Sequence, residues 1–331
     1  SKILDYRKIL SSIYQYNRNI THGKNGVELN ETILGEIDNL LNEAKGYATG
    51  QSDSELRALT AESVKNIYNQ ALWLANSRFG GRYIFSGNKT DTIPFSKGGE
   101  SAINGGTAED IVFGLSADAT DVTITIKNSS DVVVRTIVVG DGVTPGDGGS
   151  AGLNTVSWDG LDDGGAACPD GAYTFSIAAD NAGNEVDEYE TYHGSNDDKR
   201  IIVGEGIEIS INADGDNIFS NIFETLSRLQ AALEADPYNP SDCTERLDSI
   251  LNAIDQINIV RSEDSAIYTQ LELTENKFNK FKLNFENMLS GVEDADMAKA
   301  IIELQVQEVA YQASLAVSAS IIQPTLINFL R

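Results

Sequence analysis

Apolar positions fall into three regimes along the chain, and their period changes twice. From Ser1 to about Gly80 they recur at helical spacing. Ile3, Leu4, Ile9, Leu10, Ile13 and Ile20 open this stretch, with Tyr6, Tyr14 and Tyr16 interleaved. A second helix is predicted from about Gly26, carrying Leu29, Ile33, Ile37, Leu40 and Leu41. A third is predicted from about Ser52 to Arg78, carrying Leu56, Leu59, Val64, Ile67, Leu72 and Leu74. Gly46 and Gly50 punctuate the join between the last two. The first helix is in full period from its start with no capping residue ahead of it, so the sequence is expected to begin inside a longer helix.

After Gly80-Gly81 the period drops to two. Arg82–Ser86 reads as a strand, Gly87-Asn88 as a turn, and the return ends at Pro94-Phe95. Lys97–Thr107, with Gly98, Gly99, Gly105 and Gly106, reads as a linker. Alternation then dominates. Val122, Ile124 and Ile126 share one face and Thr123, Thr125 and Lys127 the other. Asn128–Asp131 is a turn, Val132–Val139 a second strand, and Tyr173, Phe175 and Ile177 alternate with Thr174 and Ser176. Short strands between Gly/Asp-rich turns predict a small immunoglobulin-like sandwich, with Trp158, Tyr173 and Phe175 in its core. Arg200–Val203 and Ile207–Ile211, separated by Gly204 and Gly206, read as one further hairpin.

From Ile218 the helical period returns. A long helix is predicted from about Asp242 to Ser290, carrying Leu247, Ile250, Ile254, Ile257, Tyr268, Leu271, Phe278 and Phe285, with Gly291 expected to break it. A last helix from about Asp294 places Ile302, Val306, Val309, Ala313 and Ala316 on one heptad seam, whose small residues permit close helix–helix approach. Pro324 is expected to end the pattern. The fold class that follows is multidomain α and β. A long-helix, coiled-coil-like bundle from both termini (1–80 and 217–331) carries β-hairpins as a neck (81–106 and 186–216) and an inserted β-sandwich (107–185).

Charge narrows the partners. Lys and Arg number 24 and Asp and Glu 50, a formal net charge of −26. Between Thr107 and Asp216 there are 22 acids and 4 bases, so −18 of that excess lies in the middle third and reads as a solvated surface. A surface this negative repels phosphate backbones and anionic membranes, so neither nucleic acid nor membrane insertion is expected. No run of apolar residues is long enough to span a bilayer, and no cleavable signal peptide is evident.

Candidate chemistry is sparse. Cys168 and Cys243 stand in unlike contexts without metal-ligand spacing, and His22 and His193 have no nucleophile or ligand partner in the pattern, so no cofactor and no catalytic set is expected. Asp141–Gly149 is a flexible loop without the ending of a phosphate cradle. Asp159, Asp162, Asp163, Asp170, Asp180 and Asn181 could offer oxygens to calcium, but Asp-Gly pairs are ordinary turn formers. The tyrosines of the first helix read as a core stripe. The last-helix seam reads in part as an intramolecular contact, but it and the apolar tip Leu326, Ile327, Phe329 and Leu330 exceed what one bundle covers. Neighbouring subunits or a chaperone are expected to cover the remainder, and the terminal helices to order fully only on assembly.

Three motifs carry a resemblance. Gly80-Gly81-Arg82-Tyr83-Ile84-Phe85-Ser86-Gly87, followed by Thr90, Thr92 and Pro94-Phe95, resembles a segment of the hook-associated protein 3 family, flagellin-like components of the junction between flagellar hook and filament. Glu286–Leu289 with Val292–Ala298 resembles a signature shared by flagellins and those relatives, and Gln323–Arg331 resembles the junction family's tail more than flagellin's. Tyr192-His193-Gly194, Arg200 and Gly204-Glu205-Gly206 also suit the family. The resemblance covers about 1–96 and 186–331 and implies that the family's first few dozen residues precede this sequence. Ser157-Trp158-Asp159-Gly160, Asp162–Gly165, Pro169-Asp170-Gly171 and Tyr173-Thr174-Phe175 resemble instead the immunoglobulin-like module of the flagellar hook-capping protein, read as an insertion.

By resemblance the chain is a non-enzymatic structural protein, exported through the flagellar type III system without a cleaved signal to the extracellular flagellum. The resemblance implies the other junction protein, flagellin, an export chaperone and further copies in a ring as its partners. The alternatives are a filament flagellin or an extracellular adhesin that binds glycans.

Overall fold

The computed structural model describes residues 2–49, 53–103, 108–144, 146–211 and 214–329, and the side chains of 100–103, 184–185, 295–296 and 318–329 lie outside the description. In chain order the elements are α1 (Lys2–Tyr47), α2 (Ser54–Ala75), β1 (Arg78–Phe79), β2 (Arg82–Tyr83), β3 (Phe95–Ser96), β4 (Gly99–Ile103), β5 (Glu109–Leu115), β6 (Asp121–Asn128), β7 (Val133–Gly140), β8 (Gly152–Trp158), β9 (Gly171–Asn181), β10 (Asn184–Val186), β11 (Glu188–Tyr189), β12 (Thr191–Tyr192), β13 (Arg200–Gly204), β14 (Ile207–Ser210), α3 (Gly215–Glu234) and α4 (Pro240–Phe329).

The helices are longer than their punctuation suggests. The two helices expected either side of Gly26 are one, α1, because neither Gly23 nor Gly26 departs from helical geometry. Gly291 does not break the C-terminal helix and Pro324 does not end it, since α4 runs through both. Glycine only weakens a helix interior, and proline removes one of many hydrogen bonds, so a long helix can absorb both. The starts are well marked. Asp53 accepts from the amides of Glu55 and Leu56, Asp214 from those of Asp216 and Asn217, and Asn239 from Ser241 ahead of Pro240 at the first helical position.

The chain packs as two compact units, one of Ser1–Thr21, Ile202–Ile207 and Glu272–Arg331, the other of His22–Ile201 and Glu208–Leu271. In the first, α1 and α4 run antiparallel. Tyr6 meets Phe285 at 6.0 Å, Tyr16 meets Phe278 at 5.4 Å, and Arg7 pairs with Glu293 at 2.7 Å. In the second, one core joins α1, α2, α3 and α4 through Leu34, Ile37, Leu41, Val64, Phe219, Phe223, Leu229, Ile250 and Ile257, with Phe85, Phe95 and Tyr189 added from the strands.

The same unit holds the β-sandwich, with a separate core of its own. One sheet has the order β10-β9-β6-β7 with β4 also on β9, and the other has the order β11-β5-β8. Val122, Ile124 and Ile126 of β6 are buried against Phe113, Leu115 and Trp158, as the alternation predicts. The stretch expected to be a linker from Lys97 to Thr107 is in part a strand, since Gly99–Ile103 pairs with Gly171–Phe175 of β9. Its glycines made it read as loop. Gly98 instead serves a close approach, because a Cβ there would overlap the Phe175 carbonyl. β13 and β14 form the expected hairpin, and no helix among the described residues is long and apolar enough to cross a membrane.

Candidate assembly surface

The GGRYIFSG segment splits into an anchoring half and an outward half. Gly80 and Gly81, with φ of 59° and 83°, make the two-residue turn between β1 and β2, so the strand expected over Arg82–Ser86 shrinks to Arg82–Tyr83. Phe85 is fully buried with its ring 4.9 Å from Phe219, and Phe95 packs on Phe219, Phe223 and Tyr192. Ser86 is buried, and its carbonyl accepts from the amide of Ser195 at 3.0 Å. Gly87, at φ 58°, lies where a Cβ would overlap the Ser195 carbonyl oxygen, so no other residue fits without moving backbone. Arg82 is exposed and Tyr83 half-buried, with the Arg78 guanidinium 4.1 Å over the Tyr83 ring. Both line a small cavity of about 40 Å³ with His22, Asn30, Phe79 and Lys199. Burial and the nearby Arg82 charge lower the Lys199 pKa.

The sandwich residues divide in a similar way. Trp158 is buried, donates from Nε1 to the Leu161 carbonyl at 2.9 Å and meets Tyr173 edge-on at 5.1 Å. The Tyr173 hydroxyl donates to the Pro169 carbonyl at 2.6 Å. Phe175, expected in that core, is only half-buried against it, opposite Gly99 and 6.3 Å from the His193 ring. Four of the six candidate calcium ligands accept hydrogen bonds from backbone amides. Asp159 accepts from Leu161, Asp162 from Gly164 and Ala166, Asp163 from Thr136 and Asp180 from Gly183. Among the described residues no group of three or more His, Cys, Asp or Glu side chains is placed to hold a metal ion.

The C-terminal seam is placed differently from an ordinary core stripe. Stepping by seven, Phe278 and Phe285 lead through Val292 to Val306 and Ala313, while Phe281 and Met288 lead to Ile302, Val309 and Ala316. Val306 and Ala313 thus continue, past Lys299, the positions of Phe278 and Phe285 that meet Tyr16 and Tyr6 of α1, whereas Ile302, Val309 and Ala316 continue the exposed Phe281 and Met288. Every described side chain from Met297 to Val317 is exposed, with Ile302, Val306 and Val309 at 60%, 63% and 65%. Among the described residues, the intramolecular contact expected for part of the seam is not seen.

One feature of the helices escaped the apolar pattern. Ile20, Gly23, Val27, Asn30, Leu34, Ile37, Leu41 and Ala44 are the buried positions of α1 at alternating steps of three and four, and Asn30 is the polar member. On α4 the same steps run Ile250, Ala253, Ile257, Val260, Asp264, and Asp264 is only 2% exposed. A charged residue in phase with an apolar seam was the available signal.

Comparison with known proteins divides the chain the same way. Residues 99–183 match the FlgD Ig-like domain family and residues 247–330 the bacterial flagellin C-terminal helical region. Flagellar hook-associated protein 3 of Escherichia coli is 36% identical over 88 residues, a match covering 25% of this chain and 28% of that curated relative's length. The chain is similar to flagellar hook-associated protein 3. Its fold agrees with that of a flagellar hook-associated protein from Vibrio parahaemolyticus, at a TM-score of 0.54, 15% identity and coverage of 88% of this chain and 95% of that one. Bacillus cereus FlgL gives 0.52 at 16% identity, covering 86% and 98%. The sandwich, with the match starting at β4, thus resembles the hook-capping module.

Proposed function

We propose that this chain is a structural subunit of the bacterial flagellum that joins hook to filament, acting through helix–helix assembly and not through catalysis. The observation that carries this reading is the seam Ile302, Val306, Val309, Ala313 and Ala316. Its apolar side chains recur at heptad spacing, and among the described residues they are exposed. An apolar heptad stripe of this length in water is stabilised by a partner helix. Further copies of the subunit arranged in a ring would supply such helices. The other junction protein and flagellin would continue the contact to either side, and a chaperone would cover the seam during export by the flagellar type III route. The GGRYIFSG segment supports the role indirectly, since Phe85, Ser86 and Gly87 lock the strands to the helical core while Arg82 and Tyr83 face outward. The sandwich, with an acidic surface and turn-bound carboxylates, needs no ligand in this reading.

Deleting the gene in a motile parent tests the proposal. Bare hooks with abundant flagellin monomer in the medium are expected. Bare hooks with no flagellin anywhere would make the chain the filament subunit, and normal filaments would set aside both and favour an adhesin.

A further inference from the structure

Asn30 of α1 and Asp264 of α4 occupy facing positions in the antiparallel helix pair of the larger unit. Arg261 reaches Glu31 at 2.7 Å and Asp38 at 3.9 Å, and the Lys24 ammonium lies 5.1 Å over the Tyr268 ring, so the two helices are in register around this layer. Each polar residue replaces an apolar one in a heptad seam, and each is 2% exposed. The Asn30 side chain acts on the Asp264 carboxyl as a hydrogen-bond partner. Yet Asn30 Oδ1 and Asp264 Oδ2 are both buried without a partner. Two buried oxygens that can only accept leave this layer short of a hydrogen, at a cost of about 1–3 kcal/mol each.

A single proton removes the shortage. We propose that Asp264 is a neutral carboxylic acid in the folded subunit, paired with the Asn30 amide in a cyclic two-bond arrangement, so that the α1–α4 contact is a pH-sensitive latch. The proton comes from solvent and adds to one carboxylate oxygen. The new O–H donates to Asn30 Oδ1, while the other carboxyl oxygen accepts from Asn30 Nδ2, so both orphaned acceptors are satisfied. The surrounding charges favour the neutral form. Glu31 on α1 and Glu263 on α4 are the charged groups acting on Asp264, both negative, and Arg261 is committed to Glu31 and Asp38. His22, Arg82 and Lys199 line the cavity on whose wall Asn30 lies. Burial first and Glu31 second push the Asp264 pKa up to about 7, against the Asn30 hydrogen bond, which lowers it. A polar pair in an otherwise apolar seam also fixes helix register, because slippage would bury both groups unpaired.

The sign follows from linkage. A carboxyl with a raised folded-state pKa binds more protons in the folded state, so its stabilisation is complete near pH 4 and is lost as pH rises to about 7. Urea unfolding of the whole chain and of Asp264→Asn, at several values between pH 5 and 8, tests it. Both are measured in a Glu190→Gln background, which removes the other buried carboxyl with a pKa of about 7. The folded-to-unfolded ratio of the Asp264 protein is expected to fall by up to about tenfold per pH unit relative to the Asn variant, then level off above 7. An infrared carbonyl band of a protonated carboxylic acid is expected at pH 6 in the Asp264 protein, and its loss is expected near pH 7. That band can be followed even if the variant fails to fold. Parallel stability curves, or no acid band at pH 6, would mean an ionised Asp264 solvated by a trapped water and would overturn the proposal.

Discussion

At the scale of single residues, glycines of the same motif differ because their surroundings differ. Gly81 and Gly87 both hold positive φ, but a Cβ at Gly81 meets nothing within 4 Å while one at Gly87 overlaps the Ser195 carbonyl. Gly81→Ala is expected to cost about 1 kcal/mol of unfolding free energy and Gly87→Ala at least about 3 kcal/mol, read by urea denaturation. Glu190 shows how one buried side chain can set a pH response. It is buried with Oε2 unpartnered, and burial pushes its pKa up to about 7. Its folded state therefore holds a proton that the unfolded chain releases near pH 4, and stability falls between those values. Glu190→Gln is expected to match wild type at pH 5 and to exceed it by about 2 kcal/mol at pH 8. A Gln variant weaker than wild type at pH 8 would show that the carboxylate is stabilised by a partner.

At the scale of elements, the two long helices explain which sequence breaks mattered. Gly26 of α1 has open space around it, so Gly26→Ala is expected to raise stability by about 0.5–1 kcal/mol through helix propensity alone. Gly23 is different. A Cβ there would stand 2.5 Å from Ile201 Cδ1, so Gly23→Ala is expected to gain less than Gly26→Ala when both are followed by thermal unfolding. Polar residues also punctuate the helix seam. Asn17 meets Asn279 at 3.1 Å in one unit much as Asn30 meets Asp264 in the other, and such layers specify pairing at some expense of stability. The sandwich rests on a smaller set of side chains. Trp158→Ala removes the largest buried side chain of its core and is expected to cost about 3–5 kcal/mol. Because Trp73 is 72% exposed, the Trp73→Phe variant should emit as a buried indole alone and report loss of that core directly.

At the scale of the whole molecule, the exposed seam separates folding from assembly. Val306→Asp and Val309→Asp alter side chains that touch solvent on this chain, so the soluble subunit is expected to keep its unfolding midpoint within about 0.5 kcal/mol. The same variants are expected to abolish motility and leave bare hooks if the seam is the joining surface. Normal swimming would exclude that role for the seam. The amino-acid order alone determined the alternation of helix and strand, the buried face of β6, the hairpin of β13 and β14, and the seam from Ile302 to Ala316, because period and turn chemistry are local properties. Trp158 and Tyr173 were legible as core for the same reason. Tertiary structure decided the rest. Gly26, Gly291 and Pro324 do not interrupt their helices because a long helix absorbs single weak positions, and 97–107 became partly strand because β9 offered β4 an edge to pair with. Asp264 and Asn30 read as ordinary polar residues until two helices, more than two hundred residues apart in sequence, brought them together out of water, where an unpaired oxygen becomes costly.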